Sequence, residues 1–414
     1  MKRILSTKLI TLSLIAATTL HATNGDNLIA VGTKARGMGG TGIAVSHGAE
    51  SGLANPALIT SVESTEISFG GTLFSPTINT QLNAVSGVPV PPQTNYQSDA
   101  DLNMIPEVSI ATKIDDNLYI GIGMWGTAGM GVDYSKANFS PLTQGQFGNF
   151  NMVTNLQLLQ FGVPIAYKTG GLSVAVTPIL QYGNLDINYK MPTPTGEIAN
   201  IGTGLAQDFG FGFNAGVAYD FSEDGVEGLV IGAIYKSSIE MSYDGQLINA
   251  TGPFRLLLPH GDTLEQPEEY GVGISYTLDG HSFAFDYKKV NWSKAKGYGD
   301  FGWEDADVYA FGYQYTQDNW AVRAGYNHSA SAVVEGMDTR LNFFNLMGFP
   351  ATAEDHYTVG ASYKVSSSFS IDLAYVYEPT STKRFSTSGL GLPFSSLTNE
   401  HREDSLSFQL NYTF

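Results

Sequence analysis

Between residue 62 and the carboxyl terminus, short and long links between candidate strands alternate without exception. The candidates lie near 63–81, 101–113, 117–126, 154–168, 171–190, 208–221, 228–244, 268–278, 281–292, 305–316, 318–329, 355–365, 368–378 and 403–414. The tight links are Asp115-Asp116-Asn117, Thr169-Gly170, Ser222 to Gly228, Asp279-Gly280, Gln317-Asp318 and Ser366-Ser367, all rich in turn-forming residues. Long segments near 82–100, 127–153, 191–207, 245–267, 293–304, 330–354 and 379–402 fall between them. A soluble sandwich has no reason for such regularity. A barrel crossing an outer membrane has one, because its turns on one side are short and its loops on the other are long. An even strand count also suits closure, which leaves no unpaired edge in lipid.

The last ten residues test the same idea. Leu406, Phe408, Leu410, Tyr412 and Phe414 alternate with Ser405, Ser407, Gln409, Asn411 and Thr413, so each set lines one face of a strand. In a sandwich the apolar face is core; in a transmembrane barrel it faces lipid. Similar rows run through Phe209 to Tyr219, Tyr309 to Tyr315 and Trp320 to Tyr326, and from Leu229 through Tyr235 on to Tyr243. Small or polar residues lie opposite them, among them Lys236, Glu240, Arg323, Gly325 and Asn327. Composition favours the barrel. Charged residues make up 14%, against about 25% in soluble domains, while glycine numbers 47, tyrosine 22 and phenylalanine 23. A net charge of −18 argues against nucleic acid as a partner, and the absence of cysteine removes disulfides and thiol chemistry.

Residues 1–22 read as a secretory signal peptide: Lys2, Arg3 and Lys8, then an apolar run from Leu9 to Leu20, then Leu20-His21-Ala22 as a cleavage site. Residues 23–61 follow no strand period and carry glycines at 25, 32, 37, 39, 40, 42, 48 and 52. Gly37 to Gly42 matches the bare dinucleotide fingerprint but lacks the preceding strand and βαβ setting. The segment reads instead as backbone packed tightly in a confined space, closing on Asn55-Pro56-Ala57.

The chain resembles the FadL/TodX family of outer-membrane transporters for hydrophobic compounds. The resemblance rests on the Gly-rich segment ending in Asn55-Pro56-Ala57, on Gly129-Met130-Gly131-Val132-Asp133-Tyr134, and on Tyr235-Lys236-Ser237. It continues through Gln266-Pro267-Glu268-Glu269-Tyr270, Asn291-Trp292-Ser293, Arg323-Ala324-Gly325-Tyr326 and the terminal Phe414. It implies an all-β protein, a fourteen-stranded antiparallel transmembrane barrel over 62–414, with residues 23–61 as a hatch inside it. It further implies that Asn55, Pro56 and Ala57 sit beside a kink in the third strand, where ligand leaves sideways into the bilayer. Gly121 and Gly123 in that strand allow a bend. Where the family often carries a proline-glycine element, this chain has Met124-Trp125-Gly126.

Nothing points to catalysis. The histidines at 47, 260, 281, 328, 356 and 401 are scattered, and neither H-E-x-x-H nor G-x-S-x-G occurs. No catalytic residue, metal site or cofactor is expected. The unusual feature is apolar sequence inside loops: Phe254, Arg255, Leu256, Leu257 and Leu258 between two prolines, and Phe343, Phe344 and Leu346 further on. Such clusters either pack on each other or form a greasy groove that captures ligand. Arg255, Lys236 and Arg323 are candidates to meet a ligand carboxylate, although lumen cations often pair with lumen acids such as Glu240. The expected activity is uptake of hydrophobic compounds, with long-chain fatty acids the first expectation and aromatic hydrocarbons the second. An outer-membrane lipid-modifying enzyme is the alternative of another class. Expected partners are the hydrophobic ligand, outer-membrane lipid and lipopolysaccharide, and assembly machinery reading the last strand of a monomer.

Overall fold

A computed structural model describes residues 23–85, 95–137, 150–193, 195, 197–392 and 394–414; the expected signal peptide lies outside the described residues. Fourteen antiparallel strands form the wall. They are β1 (Thr65–Phe74), β2 (Asn103–Lys113), β3 (Leu118–Asp133) and β4 (Val153–Gly162, resuming as Ile165–Thr169). Next come β5 (Leu172–Pro192), β6 (Ala206–Asp220), β7 (Leu229–Lys236), β8 (Glu269–Leu278) and β9 (His281–Val290). The last five are β10 (Ala306–Gln317), β11 (Trp320–Ser329), β12 (Asp355–Lys364), β13 (Phe369–Tyr377) and β14 (Asp404–Thr413). Each pairs with its neighbour in sequence, and β14 pairs with β1 from Ser405↔Phe74 to Thr413↔Glu66, so the ring is closed.

The wall is apolar outside and polar inside. Along β14, Leu406, Phe408, Tyr412 and Phe414 are exposed, while Ser405, Ser407, Gln409 and Asn411 are buried. Phe211 (77% exposed) and Ile122 (62%) show the same arrangement on other strands. A soluble core would bury these rows, so the sandwich is excluded. Residues 23–62 fold inside the ring as a compact plug, built from a hairpin (Thr23–Asn24 with Asn27–Leu28) and short helical turns at Thr33–Gly37, Ser51–Ala54 and Pro56–Ser61. On the long-loop side, strands Thr77–Ala84, Asn95–Gln97, Ser381–Ser386 and Phe394–Arg402 form a separate sheet. The helix Thr339–Gly348 packs beside it.

Two sequence expectations need correction. The segment after residue 126 is not loop at first, because β3 runs on to Asp133. Its small residues suggest a link, but Gly129 and Gly131 sit so close to β4 that an added Cβ would meet backbone oxygens at 2.9 and 2.1 Å. The row from Leu229 to Tyr243 is also not one face. β7 stops at Lys236, and Ser237-Ser238 breaks the alternation before the hairpin strand Ile239–Ser242. Ile231 therefore faces out at 44% exposure, whereas Ile239, Met241 and Tyr243 are buried.

Candidate functional site

The plug is bolted to the wall on nearly every side. The Asp286 carboxylate accepts the Gly42 and Ile43 amides at 2.7 and 2.9 Å, and Glu107 accepts the Gly32 amide at 3.0 Å. Arg36 donates to the Ala30 carbonyl at 3.0 Å and to Ser405 Oγ at 2.8 Å. Where side chains would hold the two bodies apart, the wall has glycine: a Cβ on Gly325 would lie 2.1 Å from the Gly39 nitrogen. Burial pushes Glu50 up to about 7 and drives the His47 imidazole down to about 3, so that imidazole stays neutral.

Asn55-Pro56-Ala57 does not sit on the third strand. Asn55 Oδ1 caps the Ala57 amide at 3.1 Å, and its Nδ2 donates to the Ile43 carbonyl at 2.7 Å and the Val217 carbonyl of β6 at 3.2 Å. The reason is steric. Gly216 and Gly232 thin the wall at β6 and β7, and a Cβ on Gly216 would fall 2.0 Å from Asn55 Oδ1. Other plug residues reach β3: Asn27 pairs with Ala128, and the Gly129 amide donates to the Asp26 carbonyl at 3.0 Å.

That contact marks a break in the wall. The ladder between β2 and β3 ends at Glu107↔Trp125. The next residue of β2 is Pro106, which has no N–H to offer and whose place in mid-strand signals an edge. On its other side, β3 shifts register against β4 between Gly126 and Ala128, leaving Thr127 as the extra residue of a bulge. Gly121 and Gly123 lie below it in regular pairing. Trp125 closes the wall beneath, donating to Ser109 Oγ at 2.8 Å and lying flat over Gly123, where a Cβ would be 1.8 Å from its ring.

Behind the break is a cavity of about 450 Å3. This is within the usual range of about 300–1,000 Å3 for ligand sites. Leu28, Ile105, Met130, Leu156 and Leu158 line it, and it reaches Met104, which is 77% exposed on the outer surface. Its ionisable lining is Asp133, Tyr182, His401 and Glu403, with no lysine or arginine among the described residues. Asp26, at the plug's edge of the break, accepts hydrogen bonds from Tyr298 and from Gln266 (3.1 Å), and burial raises it to about 6.

The loop residues singled out in sequence come together above the plug. Phe254 stacks on Phe343 at 5.3 Å and meets Phe344 edge-on at 5.1 Å. Phe343, Phe344, Leu346 and Leu256 are buried, and Leu258 packs against the same cluster. Leu257 alone of the leucines points away, 90% exposed. Arg255 is exposed, with its carbonyl bonded by Arg340 at 2.9 Å. Lys236 pairs with Glu269 at 3.1 Å rather than with Glu240, which bonds Lys296 instead. Arg323 is held by Gln314 and Ser362, both at 2.6 Å. Lys236 and Arg323 are thus committed to the wall. Pro106, Thr127, Trp125 and the plug's Asp26–Leu28 were missed as site residues; only Pro106 carried a sequence signal.

The family described as outer membrane protein transport protein (OMPP1/FadL/TodX) matches residues 13–414. A 47 kDa outer membrane protein of Pasteurella multocida is 24% identical over 395 residues, 87% of each chain. The fold is similar to that of a Pseudomonas aeruginosa FadL homologue, with a TM-score of 0.70 at 15% identity over 95% of this chain and 99% of that one. It is also similar to the Pseudomonas putida toluene transporter TodX, with a TM-score of 0.68 at 16% identity over 96% and 100%.

Proposed function

This chain belongs to the OMPP1/FadL/TodX family of outer-membrane transport proteins, and on that premise we propose that it passes uncharged hydrophobic molecules sideways into the bilayer through the break between β2 and β3. It is a transporter of hydrophobic compounds and not an enzyme. The observation that carries the lateral route is the ended β2–β3 ladder with an apolar cavity directly behind it. Hydrophobic ligand gains about 25 cal/mol for each Å2 of apolar surface it buries there. It then meets lipid at Met104 without crossing the polar interior.

The lining favours neutral ligands over long-chain carboxylates. Asp133 repels a carboxylate, and no lysine or arginine among the described lining residues offsets it. Structural neighbours of the same fold include toluene transporters and a monoaromatic hydrocarbon channel, which supports the same class. We expect Leu257 to be the outermost landing point, and lipid and lipopolysaccharide to surround the apolar belt. The assembly machinery is expected to read the strand ending at Phe414, and closure of the ring suits a monomer.

The test is uptake of radiolabelled toluene and oleate into cells with the transporter as their route. Saturable toluene uptake that excess oleate does not suppress is expected. Saturable oleate uptake without toluene uptake would overturn the neutral-ligand reading.

A further inference from the structure

Thr23, the first described residue, is buried among acids. Its backbone nitrogen donates to His356 Nε2 at 3.2 Å and its hydroxyl to Glu403 Oε1 at 2.6 Å. His401 Nε2 lies 3.2 Å from the same carboxylate. Glu403 Oε2 has no hydrogen-bond partner among the described residues, and the Glu378 carboxyl faces backbone groups of Glu354 and Glu403 but no side-chain donor. Glu378 sits on the neighbouring strand end, its amide donating to the Glu403 carbonyl at 2.8 Å. Thr23, Glu378, Glu403 and His356 are all at most 2% exposed. Burial first, then the charge of Glu403, pushes Glu378 far above the carboxylate range.

No lysine or arginine forms an ion pair with Glu378 or Glu403 among the described residues. Arg36, the guanidinium felt at Glu403, is bonded to Ala30 and Ser405; Arg402 is paired with Asp404 at 2.8 Å, and Lys383 with Glu354 at 2.9 Å. Buried carboxylates without a counter-ion are costly. An amide nitrogen supplies one donor and no charge, so the site lacks a cation.

We propose that the mature chain begins at Thr23 and that its α-ammonium is the counter-ion of the Glu403–Glu378 pair, fastening the plug's edge to β12 and to the β13–β14 end. This builds on the signal peptide read in residues 1–22. A leader-cleaving peptidase hydrolyses the Ala22–Thr23 bond. Water gives its oxygen to the Ala22 carbonyl, which leaves as a carboxylate, and the freed Thr23 nitrogen ends as a protonated amine. That group has three donors where the amide had one. One serves His356, and two are left, with the positive charge, to answer the buried acids Glu403 and Glu378. Export and plug seating are thereby linked, because the cation exists only after the leader is gone. The cavity gains no net positive charge, since the ammonium answers acids already there.

Three measurements on the full-length exported protein test this. N-terminal sequencing and intact mass should start the purified barrel at Thr23; any other start overturns the proposal. The decisive variant inserts one glycine between Ala22 and Thr23. This keeps every side chain and the Thr23 N–H but moves the charge about 3.5 Å. Hydrogen exchange in residues 23–31 should then rise at least about tenfold while the barrel stays heat-modifiable, since local opening is read separately from global stability. Unchanged exchange would overturn the proposal. The third measurement is mild periodate oxidation, which cleaves only a free amino-terminal threonine or serine. The folded wild type should resist it and the denatured chain should react. Equal rates in both states would overturn the proposal even if the glycine-insertion variant fails to assemble.

Discussion

Asn27 of the plug pairs with Ala128 of β3, one residue past the bulge at Thr127 and on the edge that β2 has left. The wall's missing neighbour is therefore replaced by the plug, over a single rung and the adjoining Gly129–Asp26 hydrogen bond. On the proposed lateral route, so short a contact is expected to open before the long ladders of the wall.

Removing the bulge should shut the exit. Deleting Thr127 keeps Ala128 opposite Leu158 and restores unbroken alternation, because Gly126 and Ala128 already face opposite sides, so β3 runs straight past the break and can be covered by β2. Toluene uptake should fall to background while the protein remains heat-modifiable on a gel. Retained uptake would place the exit elsewhere.

Asp26 makes plug opening depend on pH. A carboxyl raised from 3.8 to about 6 by burial is happiest neutral, so its contribution is fully present below the unfolded value and is lost as pH rises through about 6. The difference is about 3 kcal/mol. Hydrogen exchange in residues 23–31, corrected for intrinsic rate, should accelerate between about pH 4 and pH 7. Asp26→Asn should flatten that profile.

Asn55→Ala should loosen the plug without opening the ring. It removes the cap on Ala57 and two bonds to the Ile43 and Val217 carbonyls, together worth about 1–2 kcal/mol. Faster exchange across 43–58 is the expected readout. Wild-type protection there would reduce the triplet to a plain turn.

Gly325→Val should leave the β10–β11–β12 ladder intact and displace the plug, because the new side chain occupies the place of the Gly39 backbone. Raised single-channel conductance in planar bilayers is expected. Conductance equal to wild type would mean the plug finds another seat.

Leu256 and Leu257 should separate loop packing from capture. Leu256→Ser unpacks the loop core and should hasten proteolysis of the loops. Leu257→Ser removes only an exposed side chain and should weaken toluene uptake at low concentration while sparing it at saturation. Equal uptake curves for Leu257→Ser and wild type would remove this loop from the ligand's path.

Much of the architecture was legible because lipid imposes strict alternation. The row from Leu406 to Phe414, read from sequence as one face, is the exposed face of β14. What stayed hidden depends on register between distant segments. Thr127 is a bulge only by reference to β4, and the small residues after Trp125 look like a loop until β4 and the plug lie against them. Lys236 took Glu269 as partner because those two are opposite each other across β7 and β8. Nearness in sequence pointed to Glu240 instead. The cavity was illegible for the same reason, since its lining is gathered from the plug, β1 to β5 and the outer loops.

The seam of the ring carries a consequence for biogenesis. β14, the last strand made, closes on β1 and also grips the plug: Ser405 holds Arg36, and Gln409 accepts the Thr33 amide at 3.3 Å and donates to Glu50 at 2.6 Å. We expect the plug, which precedes the barrel in sequence, to serve as a template on which the final strand aligns. On that expectation, sealing the ring and stoppering it are one event. A time course of assembly should contain open, unplugged chains and closed, plugged ones, and no sealed ring with an empty lumen through which the periplasm would drain.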